Sequence, residues 1–112
     1  MSKKTRRAKA QHFAPIFAAL GDETRLALVA RLAKGKPRSI ARLTSETNLT
    51  RQAVRKHLRV LEDARIVRSV RAGRESLFEL DTAPIREVRD YADRVSERWD
   101  EALSRLKALV ER

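Results

Sequence analysis

The chain of 112 residues carries 26 Lys and Arg against 15 Asp and Glu, a formal charge of +11, with no Cys, two His and only 4% aromatic residues. Its length suits one hydrophobic core, and its composition excludes a disulfide scaffold, a thiolate zinc site, a redox thiol and a Cys nucleophile, and nearly excludes a His-based metal cluster. No apolar run approaches the roughly 18 residues of a membrane span, and the start MSKKTRRAKA lacks the apolar core of a secretory signal, so the expected location is the cytoplasm.

Residues 1–10 hold five Lys or Arg and no large apolar side chain beyond Met1, the composition of a disordered basic arm. A single domain is expected over residues 11–112. Phe13, Ile16, Phe17 and Leu20 recur at helical spacing, and Gly21 ends that first helix. Asp22 caps a second helix, in which Leu26, Leu28, Val29 and Leu32 form the expected buried face before Gly35 and Pro37 stop it. Ser39 suits the N-cap of a short third helix carrying Ile40 and Leu43, and Asn48 is a turn residue able to adopt the left-handed conformation. Thr50 caps a fourth helix running to about Ala64, with Ala53, Val54, Leu58 and Leu61 on its inner face. Two short helices joined by a tight turn, the second with a polar outer face, make a helix-turn-helix pattern over about 39–64.

After Ala64 the period changes. Ile66–Val70 and Glu75–Leu80 read as the strands of a β-hairpin, and between them Gly73 supplies a positive φ. Ala72 disfavours a two-residue I′ turn, so a slightly longer loop is expected. Asp81 or Thr82 caps a last helix, with Pro84 well placed in its first turn. Along that helix Ile85, Val88, Ala92, Val95, Trp99, Ala102, Leu106 and Leu109 alternate three and four apart, an a/d register of nearly four heptads. A helix of about 26 residues is about 39 Å long, more than the body of so small a domain covers. The expected reading is a self-associating helix, part of whose stripe is buried by something outside the chain.

The charge divides unevenly: residues 1–74 hold 19 basic and 5 acidic side chains, residues 75–112 hold 7 and 10. A basic body with a mildly acidic tail favours a polyanion partner, nucleic acid ahead of an anionic membrane surface. The membrane alternative needs aromatics over a basic amphipathic helix, and here the most amphipathic helix is the acidic one. On the fourth helix Arg51, Gln52, Arg55, Lys56 and Arg59 face outward, with no carboxylate among them before Glu62.

From Phe13 to Leu109 the chain resembles the ArsR-type winged helix-turn-helix transcriptional regulators of bacteria and archaea. The likeness rests on FAALGDETRLALVARLAKG, on LTRQAVRKHLRVLEDARIVRSVRAGRESLFEL, of which KHLRVLEDARIV is the most specific phrase, and on RWDEALSRLKAL in the long helix. The resemblance implies a homodimer joined by the first and last helices, a recognition helix in the major groove and a hairpin wing on the flanking backbone. Metal-sensing members carry paired cysteines in the third helix, where this chain has Arg38, Ser39, Ile40, Ala41, Arg42 and Leu43. Others carry His and carboxylate ligands along the last helix, which here has no His. The chain is therefore similar to the metal-free branch, whose members have Trp near the middle of the last helix.

The expected fold is mainly α with a small β-hairpin: a winged helix-turn-helix dimerising through its first and last helices, with the wing over about 66–80 and the dimerisation helix over about 84–110. Arg51, Gln52, Arg55, Lys56 and Arg59 are the expected DNA-facing residues of the recognition helix, since Arg and Gln can each form two hydrogen bonds in the plane of a base. Thr50 and the helix N-terminus would hold a phosphate, and Arg68, Arg71 and Arg74 would neutralise phosphates from the wing. The expected seam combines Phe13, Ile16, Phe17 and Leu20 with the heptad from Ile85 to Leu109, Trp99 being its packing anchor. No catalytic residue, cofactor or metal is expected. His57 has no Cys, Ser or second His beside it in sequence and is assigned a structural hydrogen bond or a phosphate contact. The expected function is that of a homodimeric, sequence-specific regulator of transcription, a repressor on an inverted-repeat operator in double-stranded DNA. A non-specific architectural DNA binder is the alternative, against which Gln52 argues. A winged-helix module that binds protein or RNA is the third class, and for single-stranded RNA it would need aromatic stacking platforms that the chain scarcely has.

Overall fold

The computed structural model describes residues 3–111, with side chains from Ala10 onward. The elements are α1 (Lys3–Leu20), α2 (Glu23–Leu32), β1 (Arg38–Ser39), α3 (Ile40–Ser45), α4 (Arg51–Asp63), β2 (Val67–Ala72), β3 (Glu75–Leu80) and α5 (Thr82–Val110). Four helices begin where a short polar side chain stands. Asp22, Ser39, Thr50 and Asp81 accept the backbone N–H of Arg25 at 2.9 Å and of Arg42, Ala53 and Ala83 at 3.1 Å. Each such cap stabilises its helix by about 1 kcal/mol.

Helix α1 begins at Lys3, inside the stretch that composition assigns to a disordered arm, while Met1 and Ser2 lie outside the described residues. Lys, Arg and Ala are strong helix formers, which favours continuing the helix ahead of Phe13. Pro15 lies inside it and withdraws one backbone donor. At its other end, Arg25 Nε donates to the carbonyl of Ala19 at 2.6 Å and Arg25 Nη2 to that of Ala18 at 3.4 Å, which fixes the corner between α1 and α2. In α2, Leu28 and Leu32 are buried but Leu26 is 50% exposed, contrary to expectation. Two residues back from Leu28 is nearly the opposite side of a helix.

One core gathers Phe13, Ile16 and Ala19 of α1, Leu28 and Leu32 of α2, Leu43 of α3, Val54, Leu58 and Leu61 of α4, Ile66 ahead of β2, Val67 and Phe78. The sheet is antiparallel in the order β1-β3-β2, with Arg38 opposite Phe78 and Val67 opposite Leu80. Strand β1 is too short to leave a period in the sequence, and it widens the expected hairpin to three strands. Ala72 pairs with Glu75, so the hairpin loop is the two-residue Gly73-Arg74 and not a longer one. Gly73 has φ 63° at the first loop position, where a II′ turn takes glycine, and Ala72 is spared because it stays in the strand.

Among the described residues, the left-handed non-glycine residue is Arg65, φ 63°, and not Asn48. Arg65 N–H donates to the Glu62 carbonyl and Ile66 N–H to the Leu61 carbonyl, both at 2.9 Å, which is the Schellman ending of α4. Its apolar contact is formed by Leu61 and Ile66, both fully buried. Glu46, at the end of α3, binds Arg38 Nη1 at 2.7 Å, Arg42 Nε at 2.7 Å and Arg31 Nη1 at 3.1 Å, joining α2, β1 and α3.

Helix α5 supplies no fully buried residue. It meets the body through half-buried Ile85, Val88 and Tyr91; Tyr91 stacks on Phe13 with centroids 4.6 Å apart, and His12 Nε2 lies 3.1 Å from Glu87 Oε2. Beyond that the helix leaves the body. The molecule measures 66 × 29 × 22 Å with a radius of gyration of 18.5 Å, against about 13 Å for a compact domain of this length. Among the described residues, no helix is long and apolar enough to cross a membrane.

Two stability predictions follow from these local geometries. Arg65→Gly removes the left-handed cost of about 1–2 kcal/mol and returns part of it as unfolded-state entropy, so the thermal midpoint should rise by a few degrees; a lower midpoint would show that the Arg65 side chain stabilises the fold. The Glu46 carboxyl is held below its ordinary value by the Arg42 hydrogen bond first, then by Arg38 and Arg31, against partial burial. A depressed carboxyl contributes stability above its unfolded pKa and loses it as pH falls through the lower folded value. The stability difference between the native chain and Glu46→Gln should therefore be full near neutrality and shrink on acidification below about pH 4, as measured by denaturant titration at stepped pH.

Candidate nucleic-acid interface

The buried stripe of α4 decides what the helix presents. Val54, Leu58 and Leu61 point into the core, so at 3.6 residues per turn Gln52, Arg55, Lys56 and Arg59 are turned outward, while Arg51, nearly in line with Leu58, is open to solvent as the first residue of the helix. All five are exposed. No carboxylate among the described residues pairs with the cations of this set, whereas Arg31, Arg38, Arg42 and Arg68 elsewhere are paired. The face is a row of free donors with one neutral amide, Gln52, in the first turn.

The turn that carries this helix is built from hydroxyls. Thr44 Oγ1 donates to the Ile40 carbonyl at 2.7 Å, Ser45 Oγ to that of Arg42 at 2.7 Å and Thr47 Oγ1 to that of Leu43 at 2.9 Å. These bonds close α3 without a glycine. Thr50, expected to meet a phosphate, uses its hydroxyl oxygen to accept the Ala53 N–H at 3.1 Å, which leaves its O–H free to donate outward.

The wing separates its arginines. Cross-strand partners share a face, and Ser69 stands opposite Phe78, whereas Arg68 stands opposite Glu79. Ser69 Oγ donates to Glu62 Oε2 of α4 at 3.3 Å, so the Ser69 face of β2 looks toward α4, and Arg71 lies on it two residues on. Arg68 is on the other face, its Nε 2.9 Å from Glu79 Oε1. Arg71 and Arg74 at the tip are exposed and without a carboxylate partner among the described residues. The hairpin pattern alone does not distinguish the three.

The expected seam residues are also divided. Phe13 and Ile16 are 6% exposed, already committed to the chain's own core. Phe17 is partly exposed beside Tyr91, Leu20 is half-buried, and Trp99, Leu106 and Leu109 stand open along α5. Sequence spacing passed over Leu103 and Val110, which are exposed as well and widen the apolar strip beyond the a/d columns. Ala92 is exposed and Val95 and Ala102 half-buried. Among the described residues, no group of three or more His, Cys, Asp or Glu is placed to hold a metal.

Comparison with known proteins places this geometry. A family described as helix-turn-helix domain matches residues 20–70. The HTH-type transcriptional regulator Rv2034 of Mycobacterium tuberculosis is 37% identical over 93 residues, 83% of each chain. An ArsR-like transcriptional regulator from Rhodococcus sp. RHA1 superposes with a TM-score of 0.85 at 31% identity, covering 93% of this chain and 94% of that one. The homodimeric winged helix-turn-helix DNA-binding domain of Mb0332 from Mycobacterium bovis shares the fold at a TM-score of 0.68 and 18% identity, over 87% and 88% of the two chains.

The division of the wing predicts unequal effects on duplex DNA. Arg71→Ala and Arg74→Ala should each lower affinity for any sequence and reduce the slope of log affinity against log salt by about one. Arg68→Ala should change the slope less, because Glu79 already neutralises it. Fluorescence anisotropy over a salt series reads all three, and an equal slope change at Arg68 would place both faces of the wing on DNA.

Proposed function

The chain belongs to the ArsR family of winged helix-turn-helix transcriptional regulators, and on that premise we propose that it is a homodimer that reads an inverted-repeat operator and represses transcription by covering a promoter. The observation that carries this reading is the outer face of α4, a set of exposed donors with no carboxylate to neutralise them. Gln52 and Arg55, in the first turns, read base edges: Arg matches guanine O6 and N7, Gln matches adenine N6 and N7. Thr50, Arg51, Lys56 and Arg59 hold the flanking phosphates, and Arg71 and Arg74 extend the contact from the wing, with Arg68 in a lesser part. Gln52 supports sequence reading over architectural binding, because a neutral amide adds nothing to attraction for the backbone.

The open strip of α5 supports the homodimer. Trp99 is 64% exposed, and Leu103, Leu106, Leu109 and Val110 are open with it, an unusual expenditure of apolar surface unless a second copy covers it. The seam takes these residues with Val95 and Ala102, and Phe17 and Leu20 from α1; Phe13 and Ile16 support it from beneath. The homodimeric state of the M. bovis domain, which shares the fold, agrees with this assembly. Two-fold symmetry sets two copies of α4 in successive major grooves about 34 Å apart.

Footprinting upstream of the protein's own gene, with competitor DNA, identifies the operator. On it, Gln52→Ala or Arg55→Ala should cost about 1–3 kcal/mol and much less on random duplex; equal losses on both would remove base reading from α4. Trp99→Ala should weaken association by about 3–5 kcal/mol if the ring is buried in the seam, appear as monomer in sedimentation, and lose operator binding although no DNA-facing residue is touched. A native protein that sediments as a monomer at micromolar concentration would overturn the dimer.

A further inference from the structure

We propose that His57 is a positioning residue for DNA reading: with Asp22 it sets the rotation of α4 about its own axis. The proposal rests on the DNA-reading role assigned to α4 above. His57 is on the side of α4 away from Arg55, with 24% of its side chain exposed, and its Nδ1 stands 4.0 Å from Asp22 Oδ2. That separation is an ion-pair or water-bridged distance rather than a direct hydrogen bond. The same Asp22 oxygen accepts the Arg25 N–H at 2.9 Å, and the Arg25 side chain holds the last carbonyls of α1. One carboxylate thereby connects the recognition helix to the corner between α1 and α2. The Arg25 N–H, opposed by partial burial and aided by the Arg25 charge, keeps the Asp22 carboxyl below its ordinary value and so anionic.

The need for such a tie comes from the way α4 is anchored. Val54, Leu58 and Leu61 hold it by apolar burial, which decides the side of α4 that faces the core but, being non-directional, opposes small rolls about that setting only weakly. His57 is about 40° around the helix from Leu61 and about 60° from Val54, on the flank of that stripe, where a polar contact resists roll. A roll of about 10° moves a side-chain tip some 6 Å from the axis by about 1 Å, enough to spoil a planar two-bond contact to a base. Long Arg and Lys side chains reaching phosphates readjust across the same displacement. Loss of the tie therefore acts on specific binding and spares non-specific binding.

The test compares the native chain with Asp22→Asn, His57→Leu, His57→Asn and the Asp22→Asn, His57→Leu double variant, on operator and on random duplex. Asn caps a helix as well as Asp does, so Asp22→Asn removes the charge facing His57 and keeps the start of α2. Asn at 57 puts an amide nitrogen near the place of Nδ1. Asp22→Asn and His57→Leu should each weaken operator binding about five- to tenfold, with random duplex within about twofold. The double variant should be no worse than the weaker single one, and His57→Asn should recover most of the loss. Amide hydrogen exchange, measured without DNA, should quicken over residues 51–60 in both single variants and stay unchanged in β2 and β3.

Native operator affinity in both single variants overturns the proposal. So does an equal loss on both duplexes with His57→Asn no better than His57→Leu, since His57 then only fills space. A native protein with no operator preference overturns the proposed function instead; the exchange measurement then judges the tie alone, and unchanged exchange in α4 overturns it.

Discussion

The burial of Val54, Leu58 and Leu61 is the constraint from which the rest of the molecule takes its orientation. A helix has one side to hide, and once three side chains at this spacing are hidden every other position on α4 is assigned an angle. Gln52, Arg55, Lys56 and Arg59 face water because they have no other direction available. The stripe also fixes the sheet, since the Schellman turn at Arg65 follows directly from the end of α4 and delivers Ile66 and Val67 into the same core. The exposed cationic face, the wing and the core are three consequences of one packed helix.

Electrostatics completes what packing begins, through the placement of few carboxylates. Asp22 caps α2 and faces α4, Glu46 gathers three arginines at the end of α3, and Glu62 receives Ser69 from the wing. Each joins elements that the apolar core alone leaves loosely related. The surface that these acids avoid, the outer face of the first three turns of α4, keeps its positive potential undiluted, which is where a polyanion is attracted.

Much of this was legible in the sequence because it is local. Asp22, Ser39, Thr50 and Asp81 act as caps through bonds spanning two or three residues, and Gly73 takes its positive φ inside a turn. What escaped depends on distant partners. Strand β1 exists only because β3 passes beside two residues, and Tyr91 is recognised only once Phe13 lies against it. Arg68 differs from Arg71 by the face it shares with Glu79, a matter of register. Leu26 illustrates the opposite error: apolar composition was read as burial, although the spacing from Leu28 turns it outward. Arg65 shows that a left-handed position need not be filled by Gly or Asn when the hydrogen bonds around it demand the conformation.

That α5 adds no fully buried residue bears on how the chain is made. Every side chain of the closed core precedes Leu80, the last residue of β3. Ribosomes extend a chain at about 5–20 residues per second, so the body has all its core residues some seconds before the final helix is finished. Closing the core and completing the long helix are thereby separated in time: the core residues are all made first, and α5 is added to them afterwards.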